Sequence, residues 1–418
     1  MTNPRTNYAL AGAALFNPMA AMYWLDVMRG QRPGAGLLLV STTGAVCAGL
    51  VAEPRRHPWR ALASGLAAAA GAALAGWVLR RYVDWVTEAA DVDAPAPNAH
   101  DLLLPAAAVC AGTVGLSALV GREPERYIEY SGKHGDYRWI SAIPHPAQRW
   151  LAWSGYLLHQ FAIWGCIYAA QHQRLPYTTA MKRLNWIALA VNAGGVALHY
   201  LQSHYTYDGL ARDVPEGSAL GSVAFILMLT LALEAPRRGL FFGSRRVLPP
   251  PELVRFARRF HGYIFSWAST YNFWYHPIDP KPLHYTGLFH TLLLFVQSAL
   301  IYTKAHRDPR WTLVLELMVL PHAVVSTLYK RSGLGAMFTF SLLAMFVINQ
   351  MHGLGLSQRA RWTIGAAYAT TALTYCGVRR EWHRLPDILR IPILEYGVLG
   401  ILVLLSLLMR VVRQSKER

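Results

Sequence analysis

The sequence predicts an all-α, polytopic integral membrane protein with 12–13 transmembrane helices, and three observations lead there. Hydrophobic residues make up 54% of the 418 residues, and charged residues only 15%. The apolar residues are gathered into blocks of about 20, the length a helix needs to cross the hydrocarbon of a bilayer. Each block is continuously apolar instead of alternating, which excludes membrane strands and leaves helices to satisfy the backbone in lipid. The same composition excludes a disordered chain, and four cysteines in this length exclude a disulfide-stapled scaffold.

The first four blocks are Tyr8–Met28, Gly34–Glu53, Ala61–Leu79 and Leu102–Gly121, each bounded by Arg, Pro or acidic residues. Arg5 precedes the first, and Asp-Val-Met-Arg-Gly-Gln-Arg follows it without a small-x-small cleavage site, so it reads as an uncleaved span. Ala and Gly at four-residue spacing from Gly65 to Ala75 mark a close helix-packing surface. A polar connecting segment, 122–148, separates residues 1–121 from a second set of helices over 149–418. Its blocks are Arg149–Gln171, Leu184–His204, Ser218–Ala235, His284–Lys304, Trp311–Lys330, Leu334–His352, Trp362–Val378 and Ile391–Met409. The aromatic stretch Gly262–Tyr275 is a thirteenth block of only fourteen residues, as compatible with an interfacial helix as with a span.

The formal charge of +17 is explained by topology. Pro236–Phe260 holds seven Arg, against only Arg212 in Thr206–Gly217, which also carries Asp208, Asp213 and Glu216. Basic residues stay in the cytoplasm. The expectation is therefore a multi-pass protein of the cell inner membrane, with the Asp208 loop outside and the C-terminus, from Arg410 to Arg418, cytoplasmic. These charges flank spans next to membrane lipids and form no basic face, so no nucleic-acid partner is expected.

Sixteen His is a high count for such a chain, and their placement points to function. If all thirteen blocks cross, His159, His199, His204, His276, His284, His290 and His322 share the outer half of the membrane. Neutral imidazoles in a cluster are the usual ligands of iron, copper or zinc. Glu316 lies mid-span six residues before His322, where an ionisable group is costly and points to function. Glu234 and Glu395 lie nearer span ends and have an ordinary snorkelling or ion-pair reading. Taken singly, each histidine also has a structural reading, as a hydrogen-bonded or interfacial residue.

Spacing limits the site. The His-x3-His and His-x2-His-His boxes of membrane desaturases are absent. His199 and His204 are about 140° apart around a helix, and His284 and His290 about 120°. A metal would thus be gathered from several helices, as in a mononuclear iron or copper site, or held as haem between two axial histidines. The segment Tyr271–Tyr285, with Pro277, Pro280 and Pro282, cannot continue as a helix and could roof a cavity for a lipid-soluble small-molecule substrate. Cys47, Cys110, Cys166 and Cys376 form no Cys-x2-Cys pair, phosphate loops and nucleophile elbows are missing, and Asp208-Gly-Leu-Ala-Arg-Asp213 lacks the paired Asp-x3-Asp of membrane prenyltransferases.

The expected function is a membrane-embedded oxidoreductase acting on a lipid-soluble substrate. His199, His204, His290 and His322 would be its iron (non-haem or haem) or copper ligands, and Glu316 a ligand or proton carrier. His159, His276 and His284 would surround the metal or face the substrate. The alternatives are a proton-coupled transporter, in which the same His and Glu316 form a proton relay, and a non-catalytic assembly or pigment-binding subunit.

Overall fold

Helices occupy nearly all the residues that the computed structural model describes: 77–78, 80–90, 97–120, 127–129, 139–141, 146–205, 209–246, 248–278, 282–329 and 334–416. The blocks Tyr8–Met28 and Gly34–Glu53, most of Ala61–Leu79, and Asp208 lie outside these residues. A short antiparallel pair, β1 (Tyr127–Glu129) and β2 (Trp139–Ser141), lies in the connecting segment.

After a helical stretch over 80–90, the helices are α1 (Leu103–Val120), α2 (Pro146–His172), α3 (Arg183–Tyr205), α4 (Glu216–Arg238), α5 (Pro251–Tyr275) and α6 (Pro282–Ala299). There follow α7 (Pro309–Leu317), α8 (Val319–Tyr329), α9 (Gly335–Ile348), α10 (Gln358–Arg379) and α11 (Arg390–Lys416). Local chemistry sets several ends. Asp308 caps α7 by accepting from the amides of Arg310 and Trp311, with Pro309 in the first turn, and Ser357 caps α10 through the Ala360 amide. α5 begins at Pro251 and stops at His276, just before Pro277.

Five helical stretches among the described residues are long and apolar enough to cross a bilayer: Arg183–Tyr205, Gly217–Arg238, Pro309–Tyr329, Gly335–Gly353 and Trp382–Leu408. Together with the exposed leucines and isoleucines on α1 and α11, such as Leu119 and Ile401, they make this an all-α polytopic membrane protein. α2, α5 and α6 lie more centrally, and buried polar residues such as Gln160, Ser266 and His284 lower their hydropathy. Their inner faces supply Tyr156, Trp274 and Leu293 to the main core.

The fourteen-residue aromatic block is the second half of α5, a 25-residue helix. At 1.5 Å per residue that is about 37 Å, enough for a full crossing. α5 runs antiparallel to α4. Asn272 near its end donates to Ser222 near the start of α4 at 2.7 Å, while Leu253 near its start packs with Ala235 and Leu240 at the other end. Its serine hydroxyls are satisfied within the helix, because Ser269 donates to the Phe265 carbonyl and Ser266 to that of Tyr263. Arg255, Arg258 and Arg259 at its start interrupt the apolar run, which is why the apolar block is shorter than the helix.

One end of the bundle is tied by Arg149 and Trp153, which both donate to Asp213, Trp153 at 2.8 Å. The opposite end is tied by Asn185, whose amide donates to the carbonyls of Ala299 and Ile301 at 2.8 Å each. These ties put the end of α3, the end of α5 and the start of α6 on one side.

Candidate functional site

Six of the seven histidines singled out by the sequence fall into three pairs, and His204 stands apart. His159 and His199 flank Trp274. The indole of Trp274 donates to His159 Nδ1 at 3.3 Å, so His159 Nε2 carries the proton and donates to Asn192 Oδ1 at 3.1 Å. The Asn192 amide in turn donates to the Phe295 carbonyl and Ser298 Oγ, 2.9 Å each. His199 Nδ1 lies 3.0 Å from the Gln202 amide and Nε2 lies 3.1 Å from the His276 carbonyl. A neutral ring has one N–H, so Nε2 donates to the carbonyl and Nδ1 accepts when the Gln202 amide presents its nitrogen. Both nitrogens of both rings are thus engaged by protein. Small residues make the approach possible: a Cβ at Gly155 would fall 2.3 Å from the Trp274 ring, and one at Gly195 would fall 2.4 Å from His159 Nδ1.

His276 and His284 stack face to face, with ring centroids 4.4 Å apart. His204 is exposed, its ring edge-on to Tyr205. His322 Nδ1 lies 3.2 Å from Thr286 Oγ1 and packs over Gly287, while the buried Nε2 of His290 has no hydrogen-bond partner among the described residues. Among the described residues no group of three or more His, Cys, Asp or Glu gathers with metal-site geometry.

Glu316 does not join the histidines. The Arg238 guanidinium grips it with two parallel hydrogen bonds, Nη1 to Oε2 at 2.7 Å and Nη2 to Oε1 at 2.5 Å. Arg238 Nε lies 3.3 Å from Glu234 Oε2 without aligning to donate to it, and Arg237 Nε donates to that same oxygen at 2.7 Å. Two arginines and two carboxylates balance.

Glu316 also lines a cavity of about 20 Å³, whose walls come from four of the five candidate spans. α4 contributes Thr230 and Leu231, α7 and α8 contribute Glu316 and Leu320, α9 and the turn after it contribute Asn349 and Gln350, and α11 contributes Glu395. Two of these helices are interrupted at the cavity. Pro321 has no N–H to give to the Leu317 carbonyl, and the helix breaks at Met318, between α7 and α8. α9 ends at Asn349, with φ −127° and ψ −60°, before a 3₁₀ turn over Gln350–Gly353. The Asn349 amide nitrogen is used to hold the Gly239 carbonyl at 2.9 Å, while the buried Oε1 of Gln350 has no partner among the described residues.

Glu395 completes the wall and corrects its ordinary reading. Its side chain is 4% exposed, and among the described residues it makes no ion pair and no hydrogen bond. Arg390, the nearest cation in sequence, turns instead to Asp387 at 2.7 Å. In the sequence Glu395 sits in an apolar run with Val398 and Leu399 on the next turn, and Arg390 five residues before it stands as an apparent partner. No family model, no curated protein and no solved structure matches the chain.

Proposed function

We propose that this protein is a proton-coupled membrane carrier whose coupling site is the cavity between Glu316 and Glu395. The observation behind this reading is the state of Glu395, a buried carboxyl group facing a second carboxylate with no cation of its own. Burying it as a lone anion is costly, whereas the neutral acid is tolerated, so it takes up or releases a proton as it loses or gains a compensating charge. Arg238 neutralises Glu316, which leaves Glu395 as the group that exchanges. The helix breaks at Met318 and Asn349 fit the same role, since carriers place interrupted helices at their binding sites, where backbone can rearrange as access alternates.

Liposomes carrying an imposed pH gradient and a pH-sensitive dye test this. Added from a panel of small solutes, at least one should collapse the gradient in vesicles with the wild-type protein, and Glu395→Gln should slow that collapse at least about tenfold. Glu316→Gln should also abolish it, although it leaves Arg238 without its counter-charge at a cost of about 3–5 kcal/mol, so Glu395→Gln is the cleaner variant. Indifference of the gradient to every solute, or equal rates in Glu395→Gln, would reject the carrier.

A second reading rests on His290 and His322. The unpartnered buried Nε2 of His290, with His322 facing it, favours a metal- or haem-dependent oxidoreductase acting on a lipid-soluble substrate. Purified protein would then contain stoichiometric iron or copper with an optical spectrum, both lost in His322→Ala. Colourless, metal-free protein would leave that reading without support.

A further inference from the structure

We infer that the Glu395 cavity binds one sodium ion, with Glu395, Gln350 and Thr230 supplying oxygens. This deepens the carrier reading, and rests on it in taking Glu395 as the group that exchanges its charge partner.

The donor set is hard and oxygen-rich. Glu395 is 4% exposed and unpaired, and it lines the cavity with the carbonyl-type Oε1 of Gln350, itself buried and unpartnered. Thr230 gives its own proton to the Ile226 carbonyl at 2.8 Å, which leaves the hydroxyl lone pairs for a cation. Leu317 also lines the cavity, and Pro321 deprives its carbonyl of the usual helical donor. The wall holds no thiolate or imidazole and only one thioether, Met345, against the oxygens of Glu395, Gln350 and Thr230, so it suits a hard ion better than a soft transition metal.

Charge fixes the valence. Arg237 and Arg238 offset Glu234 and Glu316, so Glu395 is the uncompensated charge among the described residues that line the cavity. One monovalent cation neutralises it, whereas a divalent ion would leave an excess buried charge. Size agrees, because a cavity of about 20 Å³ holds one water-sized occupant.

Binding of ²²Na⁺ to the purified full-length chain, by scintillation proximity at constant ionic strength, tests the site. Saturable binding is expected, displaced by excess sodium chloride and not by N-methyl-D-glucamine chloride. Gln350→Leu and Thr230→Val should each weaken it about tenfold, and Glu395→Gln should abolish it, with gel filtration verifying that each variant is folded. If Glu395→Gln fails to fold, the other two variants decide. Absence of saturable binding, or binding unchanged in Gln350→Leu and Thr230→Val, overturns the inference. Solute-driven gradient collapse without sodium binding would sink this inference alone, and sodium binding without any such collapse would sink the carrier reading alone.

Discussion

His306 sits on the turn between α6 and α7, where its Nδ1 donates to the Gln297 carbonyl at 3.1 Å and its ring lies 5.9 Å from that of His261. Burial, reinforced by His261 and Arg307, pushes its pKa down to about 4. The folded protein therefore holds it neutral, while the unfolded chain takes the proton at the ordinary value of 6.5. Its contribution to stability is complete above pH 6.5 and is lost as pH falls towards 4. Thermal melts in detergent should drop across that window, and His306→Gln, which keeps an amide donor but cannot titrate, should drop less. An identical pH dependence in the variant would count against this role. Other single residues differ in how plainly the sequence announces them. Glu316 stands out as an ionisable group inside an apolar block. Glu395 does not, because Arg390 five residues away offers an apparent partner, and only side-chain geometry reveals that Arg390 goes to Asp387.

Among the elements, α5 decides most. Nearly every side chain from Tyr263 to Tyr275 is buried, so its aromatic half belongs to the interior and not to a headgroup belt. Because α5 runs the full depth, the start of α4 and the start of α5 lie at opposite ends of the bundle. Gly217 is exposed with open space where a Cβ would stand, and Arg255 is 73% exposed. Gly217→Cys and Arg255→Cys should therefore be labelled by an impermeant maleimide from opposite sides, one in intact cells and the other only after lysis. Labelling of both from the same side would mean that α5 does not cross. The interruptions of α7–α8 and of α9 are a different case: Pro321 is plain in the sequence, but nothing local marks Asn349 as a break. That break follows from Asn349 bonding to the Gly239 carbonyl, 110 residues away.

At the scale of the whole molecule, two polar systems occupy the bundle. The histidines lie around the end of α5 and the start of α6, and the Glu316–Glu395 cavity lies where α4, α7, α9 and α11 meet. Block length and continuity in the sequence were enough for the class, an all-α membrane protein, and for most helices to within a few residues, because crossing lipid imposes a length and composition that any reader can count. Which polar groups meet was not legible. Hydrogen-bond partners in this bundle come from different helices, so Trp274 could claim His159, Arg238 could claim Glu316, and Glu395 could be left without a cation only once the helices had packed.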